Sequence, residues 1–183
     1  KADRKIKVKL LALDTSTEAC SVALLHQGTI IALDEVCPQQ HSKRVLPMID
    51  GLLADAGISL KSLDGIVFGR GPGSFTGVRI GVSVAQGLAF GADLPVFGVS
   101  TLAAMAQAAV RLHQATQIVA AIDARMAEVY LASFSSDANG LVHPLMAEQA
   151  IKPQLLQPLG LQGEVVAVGT GWQSYSAELQ QAQ

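Results

Sequence analysis

Gly65-Ile66-Val67-Phe68-Gly69-Arg70-Gly71-Pro72-Gly73-Ser74-Phe75-Thr76-Gly77-Val78-Arg79-Ile80-Gly81 joins an apolar strand to a helix through a turn crowded with glycine. Glycine tolerates positive φ and has no Cβ, so successive N–H groups in such a turn can converge on an anion or on another backbone. The helix behind it adds its positive dipole end. Two readings stay open here: a cradle for an anionic ligand, or a tight turn that binds nothing. The familiar phosphate loops do not fit. No lysine follows the last glycine, as a P-loop requires, and Pro72 with Thr76 breaks the G-x-G-x-x-G spacing.

The helix leaving the turn carries a second signal. Gly77, Gly81, Ala85 and Ala89 recur every four residues and form one shallow stripe, flanked by Val78, Val82 and Leu88. A glycine inside a helix costs about 1 kcal/mol relative to alanine, and close backbone approach is the usual compensation. The stripe therefore packs against the chain's own sheet or against a helix of another subunit.

Working outward, Val8 to Asp14, Ser21 to Leu25 and Thr29 to Leu33 alternate as strands around short turns, which predicts a three-stranded meander. A helix is expected over Lys43 to Ala56, with Pro47 in its first turn and Val45, Met48, Ile49, Leu52, Leu53 and Ala56 on one broad apolar face. A short helical turn from Ser59 to Leu63 precedes the Gly65 strand, and a further helix is expected from Ser100 to about His113. The second half repeats the first. Val119 to Asp123 followed by Val129 to Ala132 mirrors Leu10 to Asp14 followed by Ser21 to Leu24, and Val165 to Gly171 mirrors Gly65 to Gly71. Alternating strands and helices make the class α/β. The expected halves are residues 1–110 and a smaller, truncated or incomplete 111–183.

Composition bounds the function. Half of the 183 residues are hydrophobic, enough for one large domain or two small ones. A net charge of −2 with 13 basic residues leaves no broad footprint for nucleic acid. Lys1, Arg4, Lys5, Lys7 and Lys9 read as a solvated lead-in to a strand, since the apolar run from Leu10 is cut at Asp14, too short for a signal peptide or a membrane span. Cys20 and Cys37 lack C-x-x-C spacing and fit reduced thiols in a cytoplasmic protein. His26, His41, His113 and His143 are isolated, with Val45 four residues after His41, and no metal site or cofactor is expected. Asp14, followed by Thr15, Ser16 and Thr17, and its counterpart Asp123 read either as metal or phosphate ligands or, preferably, as side-chain-capped turns.

Leu13-Asp14-Thr15-Ser16-Thr17 with Ser21 to Leu24, then His41-Ser42 with Leu46-Pro47, then Gly71 to Gly81, then Asp123-Ala124-Arg125 with Glu128-Val129-Tyr130 together resemble the TsaB (YeaZ) family, in order and in spacing. The resemblance implies an actin-like (ribonuclease-H-like) fold of two similar halves and a bacterial cytoplasmic protein that takes part in making threonylcarbamoyladenosine beside the anticodon of tRNAs reading codons that begin with A. It implies a non-catalytic partner of TsaD, the paralogue that transfers the group. TsaE joins the pair, tRNA is met through the complex, and a homodimer is a further option. On this reading the interface comprises Val45, Met48, Ile49, Leu52, Leu53, Val78, Gly81, Val82, Ala85 and Leu88. Asp14, Thr15, Ser16, Gly71, Gly73 and Ser74 would then be a vestigial nucleotide or phosphate loop. An actin-like ATPase or kinase, binding nucleotide between the halves, is the alternative. A peptidase is disfavoured by the lack of H-E-x-x-H or G-x-S-x-G.

Overall fold

The computed structural model describes residues 8–181. They form two compact units, the first ending at Val99 and the second beginning at Ser100.

In the first unit, β1 (Leu10–Asp14), β2 (Ala19–His26) and β3 (Thr29–Val36) make the expected meander, and β4 (Gly65–Gly69) and β5 (Val96–Val99) extend it. The order is β3-β2-β1-β4-β5, with β1 antiparallel to β2 and parallel to β4. Strand periodicity sorts the side chains. Leu11, Leu13, Cys20, Val22, Leu24 and Ile66 are buried on one face, beneath α1 (His41–Asp55) and α2 (Phe75–Ala92). β2 and β3 are joined by Gln27 and Gly28, both at positive φ, the pairing of a type I′ hairpin turn.

α1 starts two residues ahead of the expected Lys43, so Pro47 lies in its second turn rather than its first. The Lys43 carbonyl loses its helical donor there. Both residues are exposed, and water can replace the bond. After the helix, the Gly57 N–H donates to the Ala54 carbonyl with Gly57 at φ 63°, and the Ile58 N–H donates to Leu53, closing the last turn.

In the second unit, β6 (Gln117–Arg125) lies between β7 (Glu128–Ser136), antiparallel to it, and β10 (Val166–Val168), parallel to it. The short strands β8 (Val142–Pro144) and β9 (Gln149–Ile151) pair with β7. The β1-β2-β4 arrangement of the first sheet thus recurs as β6-β7-β10, as the sequence repeat predicts. α3 (Thr101–His113) places Leu102, Ala106 and Ala109 against Ile118, Ala120, Ile122 and Phe134. The whole helix belongs to the second unit, so the boundary lies ahead of it and not at residue 110. Val119, Ala121, Val129 and Leu131 pack on the opposite face with Leu179, from the last short helix, and Trp172. Among the described residues no helix is long and apolar enough to cross a membrane.

Candidate functional site

The glycine turn meets the β1–β2 turn of its own unit. The Asp14 carboxylate accepts from the Ser16 N–H at 2.7 Å and from the Ser16 hydroxyl at 2.6 Å, a side-chain-capped turn that occupies one of its oxygens. The Thr15 hydroxyl donates to the Gly77 carbonyl at 2.6 Å, and the Ser74 N–H donates to the Ser16 carbonyl at 2.7 Å. Thr15 and Ser16 are each 1% exposed. Ser74 then caps α2, its side chain accepting from the Gly77 N–H at 3.3 Å.

A Cβ placed on any of four glycines would collide with that turn. At Gly69 it would strike the Asp14 carboxylate, at Gly73 the Ser16 carbonyl and at Gly77 the Thr15 carbonyl, and at Gly81 it would lie 2.7 Å from the Thr15 hydroxyl. Gly71, at φ 88°, faces Val78 instead. The absence of a Cβ is what lets the turn approach a second backbone this closely. Its glycines accommodate the chain's own Thr15 and Ser16.

The small-residue stripe follows the same logic. Gly77, Gly81, Ala85 and Ala89 are the buried residues of α2 and face the first unit's own sheet. Val45, Met48, Ile49, Leu52 and Leu53 are the core-facing residues of α1. Leu88 packs against the same core, Val78 lies against Gly71, and Val82 is half-buried. Most of the residues expected to face a partner are thus also used in the unit's own packing, because a broad apolar arc on a helix meets the sheet beneath it.

What the helices show to solvent is a different set. Phe75 is 74% exposed and Phe90 94%, and with Arg79, Ser83 and Gln86 they share the face of α2 opposite the glycine stripe. Leu46 is 48% exposed on α1, which packs beside α2. The Arg79 guanidinium lies 3.3 Å from the centroid of the Phe75 ring and donates to the Phe75 carbonyl, so the pair forms a flat aromatic–cation platform at the start of α2. The sequence carried this signal as apolar residues out of phase with the small-residue stripe.

The second unit's counterpart turn is built differently. Asp123 accepts from the Arg125 N–H at 2.8 Å, its own N–H donates to the Thr170 hydroxyl at 3.2 Å, and the Ser174 hydroxyl reaches its other oxygen at 3.4 Å. His41 is buried, its Nε2 donating to the Thr17 carbonyl at 2.9 Å, which holds the start of α1 on the β1–β2 turn. Among the described residues, no cluster of three His, Cys, Asp or Glu side chains is placed to hold a metal.

A family model described as TsaD, tRNA N6-adenosine threonylcarbamoyltransferase, matches residues 32–178. The chain is 52% identical to the tRNA threonylcarbamoyladenosine biosynthesis protein TsaB of Escherichia coli over 92% of its own length and 74% of that protein. It is equally similar, at 52%, to the Haemophilus influenzae protein of the same name over 91% of this chain and 74% of the relative. The solved structure of YeaZ from Pseudomonas aeruginosa superposes with a TM-score of 0.88 at 47% identity, covering 92% of this chain and 79% of that one. Motif order, repeated sheets and overall identity agree: the chain belongs to the TsaB (YeaZ) family of tRNA threonylcarbamoyladenosine biosynthesis proteins, itself related to TsaD.

Proposed function

We propose that this chain is a non-catalytic subunit that pairs with a TsaD-type transferase and supports threonylcarbamoylation of tRNA adenosine without performing the chemistry. The observation that carries the reading is the Phe75–Arg79–Phe90 face of α2, an exposed aromatic and arginine surface of the composition found at protein interfaces. The closed glycine turn supports it from the other side, because the residues that would cradle a phosphate are packed against Thr15 and Ser16. A TsaE-type ATPase joins through the pair, and tRNA is reached through the complex, consistent with the chain's small net charge.

Size-exclusion chromatography with light scattering, on the chain alone and mixed with TsaD from the same source, tests the pairing. A threonylcarbamoylation assay with ATP, bicarbonate, threonine, tRNA and the remaining components then tests the role. We expect a mixed complex, activity that depends on this chain, and loss of both in Phe90→Glu with thermal stability unchanged. Self-association of the chain alone is expected to use the same face and to be lost with it. A Phe90→Glu variant that pairs as well as the wild type would move the interface elsewhere.

A further inference from the structure

Cys20 and Cys37 are both free and both buried. The β2–β3 register explains the approach. Ala19 pairs with Val36 and Cys20 with Glu35, and the Cys37 N–H donates to the Glu18 carbonyl at 3.0 Å, so the two thiols are diagonal neighbours on one face of the hairpin. Cys37 also lines a pocket of about 550 Å³ with Glu35, Val36, Pro38, Gln40 and Arg44, whereas Cys20 is wholly enclosed. Of the two cysteines, Cys37 is the one that lines this pocket.

We propose that Cys20 and Cys37 are a reversible dithiol switch, oxidised by small disulfides such as oxidised glutathione, that controls the seating of α1 and through it the pairing proposed above. The Cys37 thiolate attacks one sulfur of the oxidant and releases a glutathione thiolate, leaving a mixed disulfide on Cys37. Cys20 then attacks the Cys37 sulfur, and its proton leaves on the second glutathione, which is expelled as the thiol. The two cysteines are oxidised by two electrons and one glutathione disulfide is reduced to two thiols. Burial first, and then the charge and hydrogen bond of Cys37, push the Cys20 thiol up to about 11. The mixed disulfide turns the Cys37 sulfur into the electrophile for the second step.

The coupling to α1 is geometric. Diagonal positions across an antiparallel pair sit about 7–8 Å apart at Cα, and a disulfide needs about 7 Å or less, so closure draws the Cys37 backbone inward. Cys37 begins the turn into the helix. Its carbonyl accepts from the Gln40 N–H at 2.9 Å, and the Gln40 carbonyl accepts from the Lys43 and Arg44 N–H groups of the first turn of α1. The same movement bears on Arg44, which holds Glu35 at 2.6 Å across the pocket mouth.

The test treats the full chain with oxidised or reduced glutathione, counts thiols by alkylation after denaturation with mass spectrometry, and measures capture of TsaD. We expect loss of both thiols without retained glutathione, accumulation of a Cys37 mixed disulfide in Cys20→Ala, and no adduct in Cys37→Ala. Capture should fall about tenfold on oxidation and return with dithiothreitol. Two free thiols, or a wild-type chain that stops at the mixed disulfide, would overturn the switch, as would a disulfide that leaves capture unchanged. Failure of the reduced chain to capture TsaD would instead sink the pairing reading, while the thiol count still decides whether the dithiol closes.

Discussion

Asp14 ends β1 and Asp123 lies two residues from the end of β6, equivalent central strands of two similar sheets, yet the turns beside them have opposite characters. The first is sealed: Thr15 and Ser16 are buried, their hydroxyls and the Ser16 carbonyl spent on Gly77, Asp14 and Ser74, and an 18-residue helix leans its glycines on them. The second is open: Asp123 is held from solvent-facing positions by Thr170, Ser174 and its own turn, and the following α4 (Gly171–Ser174) has four residues. Duplication supplies the frame, and the element behind the turn decides whether the frame is a site or a joint. In the first unit it is a joint.

The strongest way to break that contrast is to put a side chain where the joint is tightest. Gly77→Ala places a Cβ against the Thr15 carbonyl and is expected to cost about 3 kcal/mol, the upper end for overpacking, seen as a fall in urea midpoint. Gly81→Leu follows the same rule and is expected to destabilise the chain itself. A neutral Gly77→Ala would mean that the turn gives way and the joint is soft. Thr15→Val strips the donor from a buried carbonyl and is expected to cost about 1.5 kcal/mol. Its counterpart on the open turn, Thr170→Val, should stay within about 0.5 kcal/mol. Equal costs would erase the distinction between the two copies.

Much of this was legible in residue order. The meander, the two helices on it, the glycine turn and the repeat all follow from periodicity and from Gly, Pro and Asp placement, because those signals are local. β5 was not anticipated: Val96-Phe97-Gly98-Val99 is a four-residue edge strand, too short to show alternation. The site was legible in its residues but not in its polarity. Val45, Ile49, Leu52, Gly81 and Ala85 read in the sequence as a surface for a partner, and in the structure they are buried within their own unit. A helix stripe does not say what covers it. The residues left for a partner, Phe75 and Phe90, stand out only once the stripe has been assigned to the sheet.

The same distinction predicts a gain. Gly87 lies on α2 with open space where its Cβ would be, in contrast to Gly77 and Gly81. Gly87→Ala removes a helix-interior glycine with nothing to strike and should stabilise the chain by up to about 1 kcal/mol, read in the same urea titration. A loss there would show that the glycine serves a contact outside this chain's own packing.

The smallest effect separates the two hairpins. β2–β3 turns on Gln27 and Gly28 by backbone conformation, whereas the β7–β8 connection is tied by one side chain. Asp137 accepts from the Asn139 and Leu141 N–H groups and from His143 Nε2 at 3.0 Å. The hydrogen bond from His143, ahead of that from the Leu141 N–H, holds the Asp137 carboxyl down to about 2, below the usual 3.8. A carboxyl lowered in the folded state stabilises it above its unfolded value. That contribution fades as pH falls from about 4 through about 2, where the folded group protonates. Because Asp137 is partly open to solvent, the effect should show locally rather than in global stability. Carbon-detected NMR of the carboxyl should place its midpoint near 2 in the wild type and higher in His143→Ala, with β2–β3 amide shifts unchanged over the same range. An unmoved midpoint in the variant would assign the depression to the backbone donors alone, leaving Asp137 without His143 as the tie of the second connection.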